Sequence, residues 1–267
     1  MIEVRDLSFR IGQKCLLQQI NFEVKPGEML AVIGANGAGK STLMKLMCRE
    51  LVPSGGGIRL KHKELSDYKI IELARMRSVL SQQNTISMAF NVKELVLMGR
   101  YPHFDSKPAE NDFEILRQVM TETGITHLSD REYNTLSGGE QQRVQLARVM
   151  AQIWDVPNGL FFLDEPTNGL DLLYQQQILS IARNMADKGF CVISILHDIN
   201  SASRYADKVL ILKEGRGIAY GSPEEVINCE NIQEAFGIEV SLLDSAELNY
   251  LFVIPFKTNI SRELNLY

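Results

Sequence analysis

Apolar residues follow two rhythms along this chain. In IEVRDLSF (2–9) and INFEVKPGE (20–28) they alternate with polar ones, and turn-forming residues separate the two runs. That period predicts antiparallel strands with one face in water. MLAVI (29–33), GLFFL (159–163) and FCVISIL (190–196) are instead continuous, β-branched or aromatic, and bounded by Gly, Asp or His. Strands buried on both faces of a parallel sheet have this pattern. KVLILKEGRGIAYGS (208–222) predicts two short strands about an EGRG turn. SPEE (222–225) has capping-box spacing with Pro223 at the first helical position, so a helix is expected to start there.

Between these β-rich parts, residues 91–153 have mainly helical periodicity: VKELVLMG, NDFEILRQVMTETG, and a stretch that lines up Val144, Ala147, Val149, Met150 and Ile153. The expected architecture is an α/β core with an inserted helical lobe. No repeat or low-complexity tract interrupts it, and residues 229–267 are expected to form a short C-terminal extension to a main domain spanning 1–228.

Composition narrows the partners. The chain has 267 residues, 45% of them hydrophobic, enough for a substantial core. A net charge of −5 supplies no broad attraction for nucleic acid or an anionic membrane surface, so nucleic acid is not expected as a partner. The apolar runs fall far short of the ~20 residues a spanning helix needs, and MIEVRDLSFR lacks the basic end and apolar core of a secretory signal. A soluble chain in the cytoplasm is expected. Cys15, Cys48, Cys191 and Cys229 are too widely spaced for a metal or redox motif and are expected to be reduced and mostly buried.

Chemistry enters with GANGAGKST (34–42), which follows a buried-strand pattern and opens a helix, STLMKLM. Gly34, Gly37 and Gly39 permit a tight curve and close approach, successive N–H groups face phosphates, and Lys40 adds a point charge near the β and γ groups. Ser41 offers a hydroxyl to Mg²⁺. A strand ending in Asp164 puts a carboxylate at the carboxyl edge of the sheet, where it can hold the metal through water. Glu165 follows, within reach of a water attacking the γ-phosphate. His197 ends another buried strand, ISILH, on the same edge, and a γ-phosphate contact is the reading its neighbours favour.

LSGGE (136–140) also runs into a helix and makes a second phosphate-binding nest with the Ser137 hydroxyl and the amides of Gly138 and Gly139. Alone, it would pass for an ordinary helix N-cap. One nucleotide has no need of both loops from one chain, so the phosphate it contacts is expected on another subunit.

Taken together, these motifs resemble the nucleotide-binding subunit of ABC transporters over residues 1–228. GANGAGKST resembles the family's Walker A, LFFLDE its Walker B, LSGGEQQR its signature, TNGLD its D-loop and His197 its switch histidine. VLSQQ puts Gln82 at the Q-loop position, which implies a catalytic and metal-binding role. The resemblance implies a P-loop ATPase core with an antiparallel β subdomain and an inserted helical one, binding ATP and Mg²⁺ in a head-to-tail homodimer. It also brings Asn36 and Thr42 into the phosphate site and leaves one departure: where the family stacks an aromatic on adenine this chain has Ile11, so Phe9 or apolar contact is expected to serve.

MAFNVKELVLMGRYPHF, RVQLARVMAQIWD and SASRYADKVLILKEGRGIAYGSPEEV resemble the importer branch serving iron chelates, cobalamin and haem, and through GRYPH (99–103) the haem subunits most. That implies permease subunits in the membrane, a periplasmic haem-binding protein, and a peripheral place on the cytoplasmic face of the inner membrane. A ferric-siderophore or cobalamin importer is the alternative. A non-transport ABC ATPase would need a long coiled coil or a second cassette, and a small kinase would leave LSGGE and His197 without a role. His103 is expected to be a solvated loop residue rather than a haem ligand.

Overall fold

A computed structural model describes residues 1–81, 89–244 and 250–256. Strands β1 (Ile2–Ile11) and β2 (Lys14–Val24) form the expected antiparallel pair, and β3 (Met29–Ile33) follows. Ile2, Val4, Leu7 and Phe9 are the buried positions of β1. The alternation slips by one residue between Val4 and Leu7, at a bulge where Asp6 has φ 45. Gly56 lies opposite: a Cβ there would sit 2.3 Å from the carbonyls of both Arg5 and Asp6, so only glycine passes.

After β3 the chain forms α1 (Lys40–Met47), β4 (Gly55–Leu60), β5 (Lys63–Glu64), α2 (Ile70–Met76) and β6 (Arg77–Leu80). The next segment is helical: α3 (Val92–Leu97), a 3₁₀ turn (Met98–His103), α4 (Glu110–Glu122) and α5 (Gly138–Ile153). Then come β7 (Leu160–Asp164), α6 (Leu172–Asp187), β8 (Cys191–Ile195), α7 (Ile199–Tyr205), β9 (Lys208–Lys213), β10 (Arg216–Gly221) and α8 (Pro223–Val226). Helix α9 (Cys229–Phe236) and the hairpin of β11 (Val240–Leu243) with β12 (Phe252–Pro255) follow.

Among the described residues six strands make the central sheet, in the order β10-β9-β3-β8-β7-β6, with every pair parallel except β10 with β9. The continuous apolar runs are explained by two cores, one on each face. Met29, Ala31, Ile33, Phe161, Leu163 and Val192 pack into the core built with α3–α6. Their alternates Leu30, Val32, Leu160, Phe162 and Ile193 pack against α1 and the antiparallel sheet β2-β1-β4-β5.

The helical segment is tied together by a buried charge. Arg100, 2% exposed, donates from Nε to Asp112 at 2.8 Å, from Nη1 and Nη2 to the two Asp155 oxygens at 2.8 and 3.1 Å, and from Nη1 to the Ala151 carbonyl at 2.8 Å. The preceding Gly99 runs so close to α5 that a Cβ would fall 2.0 Å from the Arg148 carbonyl. His103 is not solvated as the sequence suggests. It is half-buried, its Nε2 donates to the Gln152 carbonyl at 2.7 Å, and burial lowers its pKa from the ordinary histidine value. The cysteines divide evenly: Cys48 and Cys191 are buried, but Cys15 and Cys229 are exposed, on the outer strand β2 and at the start of α9, and all four are free.

Candidate functional site

Register across the sheet assembles the site. Val32 in β3 pairs with Ile195 in β8, and Ile195 pairs with Asp164 in β7. The segments that follow these residues, Gly34–Lys40, His197 and Glu165, therefore leave the sheet at one level along its carboxyl edge, where open α/β sheets bind ligands. The histidine strand lies between the other two.

The glycine-rich loop is shaped from below. A Cβ on Gly34, at φ 151, would lie 2.2 Å from the Leu212 carbonyl, and one on Gly39, at φ 104, 2.7 Å from the Leu17 side chain. Asn36 and Gly37 are exposed, Ser41 is exposed at the first turn of α1, and Thr42 behind it is half-buried. Lys40 is only 6% exposed and curls over its own loop, donating to the Gly34 carbonyl at 2.7 Å and the Ala35 carbonyl at 3.1 Å. Burial lowers its pKa, while the charges of Glu165 and Asp164 pull it back up. The three side chains thus share one electrostatic pocket.

Asp164 is half-buried, and its Oδ1 is buried with no hydrogen-bond partner. Burial raises its pKa and the neighbouring Glu165 carboxylate adds to the effect, against Lys45 and Lys40. A carboxylate in that condition lacks a cation or donor. Glu165 adopts φ 52, in the left-handed region, so the chain turns as the strand ends. Its Oε1 accepts from His197 Nε2 at 2.7 Å and its Oε2 from Asn168 Nδ2. Asn168 is a site residue the sequence reading did not single out, although its place three residues beyond Glu165 in the TNGLD turn is the signal that could have found it.

Ser137 lies elsewhere. It caps α5, accepting from the Glu140 amide at 3.4 Å, while its own amide and hydroxyl both donate to Glu140 Oε2 at 2.8 Å. Those bonds lower the Glu140 pKa. Ser137 and Gly138 are exposed, and Gly139 packs on the Tyr174 ring of α6. The helix behind them packs on α2, α3, α4, β6 and β7 from one face of the central sheet, and α1 packs on β2 and β7 from the other, so the two glycine-containing loops open helices on opposite faces of the sheet. Gln142 ties α5 to the acidic turn by donating to the Pro166 carbonyl at 2.9 Å.

Phe9 is 8% exposed within the core below the antiparallel sheet and cannot face a base, whereas Ile11 is 62% exposed at the tip of the β1–β2 hairpin. This placement removes Phe9 as a stacking partner for adenine. Gln82 lies outside the described residues.

Comparison with known proteins gives a consistent outcome. The ABC transporter family matches residues 17–168. The chain is 44% identical to the hemin import ATP-binding protein HmuV of Gloeobacter violaceus, over 96% of this chain and 94% of that one. It is 41% identical to the protein of the same name from Pseudomonas aeruginosa, over 95% and 99%. Among solved structures, an inward-facing ABC transporter described as metal-chelate type superposes with a TM-score of 0.81 at 29% identity, covering 96% of this chain and 98% of that one. A dimeric cassette bound to ADP and phosphate superposes at 0.71 and 22% identity, which speaks to the fold alone.

Proposed function

The chain belongs to the ABC transporter family, and from that premise we propose that it is the ATP-hydrolysing subunit of a haem importer, working as a head-to-tail homodimer on the cytoplasmic face of the inner membrane. The observation that carries the mechanism is the shared edge: Val32, Ile195 and Asp164 stand in register, so the phosphate loop, the histidine and the two acidic residues converge, while Ser137 caps α5, on the opposite face of the sheet from α1.

In this reading the amides of residues 34–42 and the Lys40 ammonium hold the ATP phosphates, Lys40 exchanging its two loop carbonyls for phosphate oxygens. Asn36 and Thr42 flank them. The buried, unpartnered Asp164 Oδ1 together with the exposed Ser41 hydroxyl fits a Mg²⁺ held by few protein groups and mainly by the substrate's phosphates. Mg²⁺ there would neutralise charge that develops on the β and γ oxygens. Glu165 polarises the attacking water, and His197, hydrogen-bonded to Glu165, contacts the γ-phosphate and fixes the carboxylate's orientation. Gln82 would complete this site. The Ser137 hydroxyl and the Gly138 and Gly139 amides close over the γ-phosphate of the partner's nucleotide. Glu140 then gives up the Ser137 hydroxyl it holds here.

Among the described residues no helix is long and apolar enough to cross a membrane. In this reading permease subunits carry the cargo through the membrane, as membership in the ABC transporter family implies. A periplasmic haem-binding protein would deliver the ligand to them. The haem assignment rests on full-length similarity to hemin import ATP-binding proteins. Deleting the gene should abolish growth on haem as sole iron source and spare growth on inorganic iron. Normal haem use with lost ferric-siderophore or cobalamin use would move the cargo to those chelates.

A further inference from the structure

The C-terminal hairpin is joined to the site by one side chain. Asn200 sits in the first turn of α7, three residues beyond His197. Its Nδ2 donates to the Val253 carbonyl at 3.1 Å and its Oδ1 accepts from the Val253 amide at 2.7 Å. The side-chain amide thereby pairs with the backbone of β12 as a neighbouring strand would, and a flipped amide would lose both bonds. One helical turn along the same face, the Ser203 hydroxyl donates to the Leu251 carbonyl at 2.7 Å. Val253 is 3% exposed, so the hairpin is seated on α7 by its inward face.

The other end of that linkage is the switch. Asp198 caps α7, accepting from the Asn200 amide at 3.2 Å and from the Ser201 amide at 2.9 Å, and His197 immediately precedes it. A helix of seven residues cannot hold its own first turn in water, where isolated helices shorter than about 12 residues are marginal. Farther along, Ala202 and Tyr205 are buried in the core where α7 packs on β3, and the Tyr205 hydroxyl and Arg204 both donate to Gln176 of α6, at 2.6 and 2.9 Å. The turn that aims His197 at Glu165 is thus secured from the hairpin side by Asn200 and Ser203.

We propose that Asn200 is a positioning residue for ATP hydrolysis, through which the C-terminal hairpin fixes the first turn of α7 and with it the His197–Glu165 contact. This rests on the roles given above to His197 and Glu165. Because a displacement of about 1 Å at a catalytic contact can cost on the order of 100-fold in rate, even partial loosening registers in turnover.

Purified full-length chain carrying Asn200→Ala, Ser203→Ala or His197→Ala, and the double variant Asn200→Ala with His197→Ala, would be compared for kcat, KM, ATP affinity and melting temperature. Asn200→Ala should lower kcat roughly fivefold and leave KM and ATP affinity within about twofold, with Ser203→Ala shifting kcat the same way by less. In the His197→Ala background the same change should have no further effect on kcat. A merely structural hairpin would lower the melting temperature and leave kcat intact, or reduce kcat by the same factor with and without His197; either result overturns the proposal. If Asn200→Ala does not fold, Ser203→Ala decides by the same comparison. Wild-type turnover in His197→Ala would remove the site reading itself, whereas loss in His197→Ala beside normal kcat in both hairpin variants removes only this inference.

Discussion

Glu165→Gln replaces one carboxylate oxygen by an amide and leaves the side chain's size and the φ 52 backbone requirement unchanged. The native carboxylate accepts from two donors at once, His197 on Oε1 and Asn168 on Oε2. Glutamine has a single acceptor oxygen, so it can keep one of these bonds and must turn an NH₂ toward the other donor. The variant therefore loses the base and part of its alignment together. Removing a general base costs about 100- to 10,000-fold, or roughly 3–5 kcal/mol of activation free energy. With alignment also disturbed, a loss in kcat of at least about 1,000-fold is expected. ATP affinity should stay within about threefold, because Lys40, Ser41 and Asp164 are untouched and uniform binding does not depend on the base. Phosphate release at saturating ATP and Mg²⁺ gives the first quantity and calorimetry the second, while size-exclusion in ATP should show a dimer that persists only in the variant. Wild-type turnover by Glu165→Gln would refute the assignment of the base, and loss of ATP affinity in step with kcat would show that Glu165 holds the nucleotide rather than the water.

Ser137→Arg should leave ATP binding intact but abolish hydrolysis, and in a mixed dimer with Lys40→Ala chains one composite site should stay whole and bind ATP with normal affinity. Loss of all high-affinity binding in a verified heterodimer would show that the signature serves its own chain. Arg100→Met strands the buried Asp112 carboxylate and the half-exposed Asp155, so stability should fall by about 3–5 kcal/mol; an unchanged urea midpoint would contradict this.

The phosphate chemistry was legible because its residues are adjacent in sequence: a loop with three glycines, Lys40 and Ser41, and a strand that ends in Asp164 and Glu165. The central strands were legible because burial on both faces leaves no polar position to blur them. β6 escaped notice for the opposite reason, since Arg77 and Ser78 open it and Ser78, 1% exposed, keeps an unpartnered hydroxyl in the interior. Three consecutive glycines likewise hid β4. Contacts across long stretches of chain leave no local mark: His103 with Gln152, and Asn200 with Val253 at a separation of 53 residues. The seat of the C-terminal hairpin therefore became readable only in three dimensions. The short spacing of Phe9 from Ile11 suggests an adenine partner, but two residues along a strand put it on the same side as Ile11 only if the strand runs regularly. The β1 register shifts between Phe9 and Arg10, and Phe9 turns inward.

The left-handed conformation of Glu165 bears on how this protein would respond to selection for heat resistance. A side chain held there costs roughly 1–2 kcal/mol relative to the ordinary helical region, a cost that asparagine largely avoids. A library screened only for residual fold after heating would thus enrich Glu165→Asn, and the survivors would bind ATP without turning it over. Thermostabilisation of this turn and retention of its chemistry pull in opposite directions. Consensus or ancestral redesign of the chain should hold position 165 fixed and seek its gains where no catalytic group is strained, such as the exposed Val52 and Ile70.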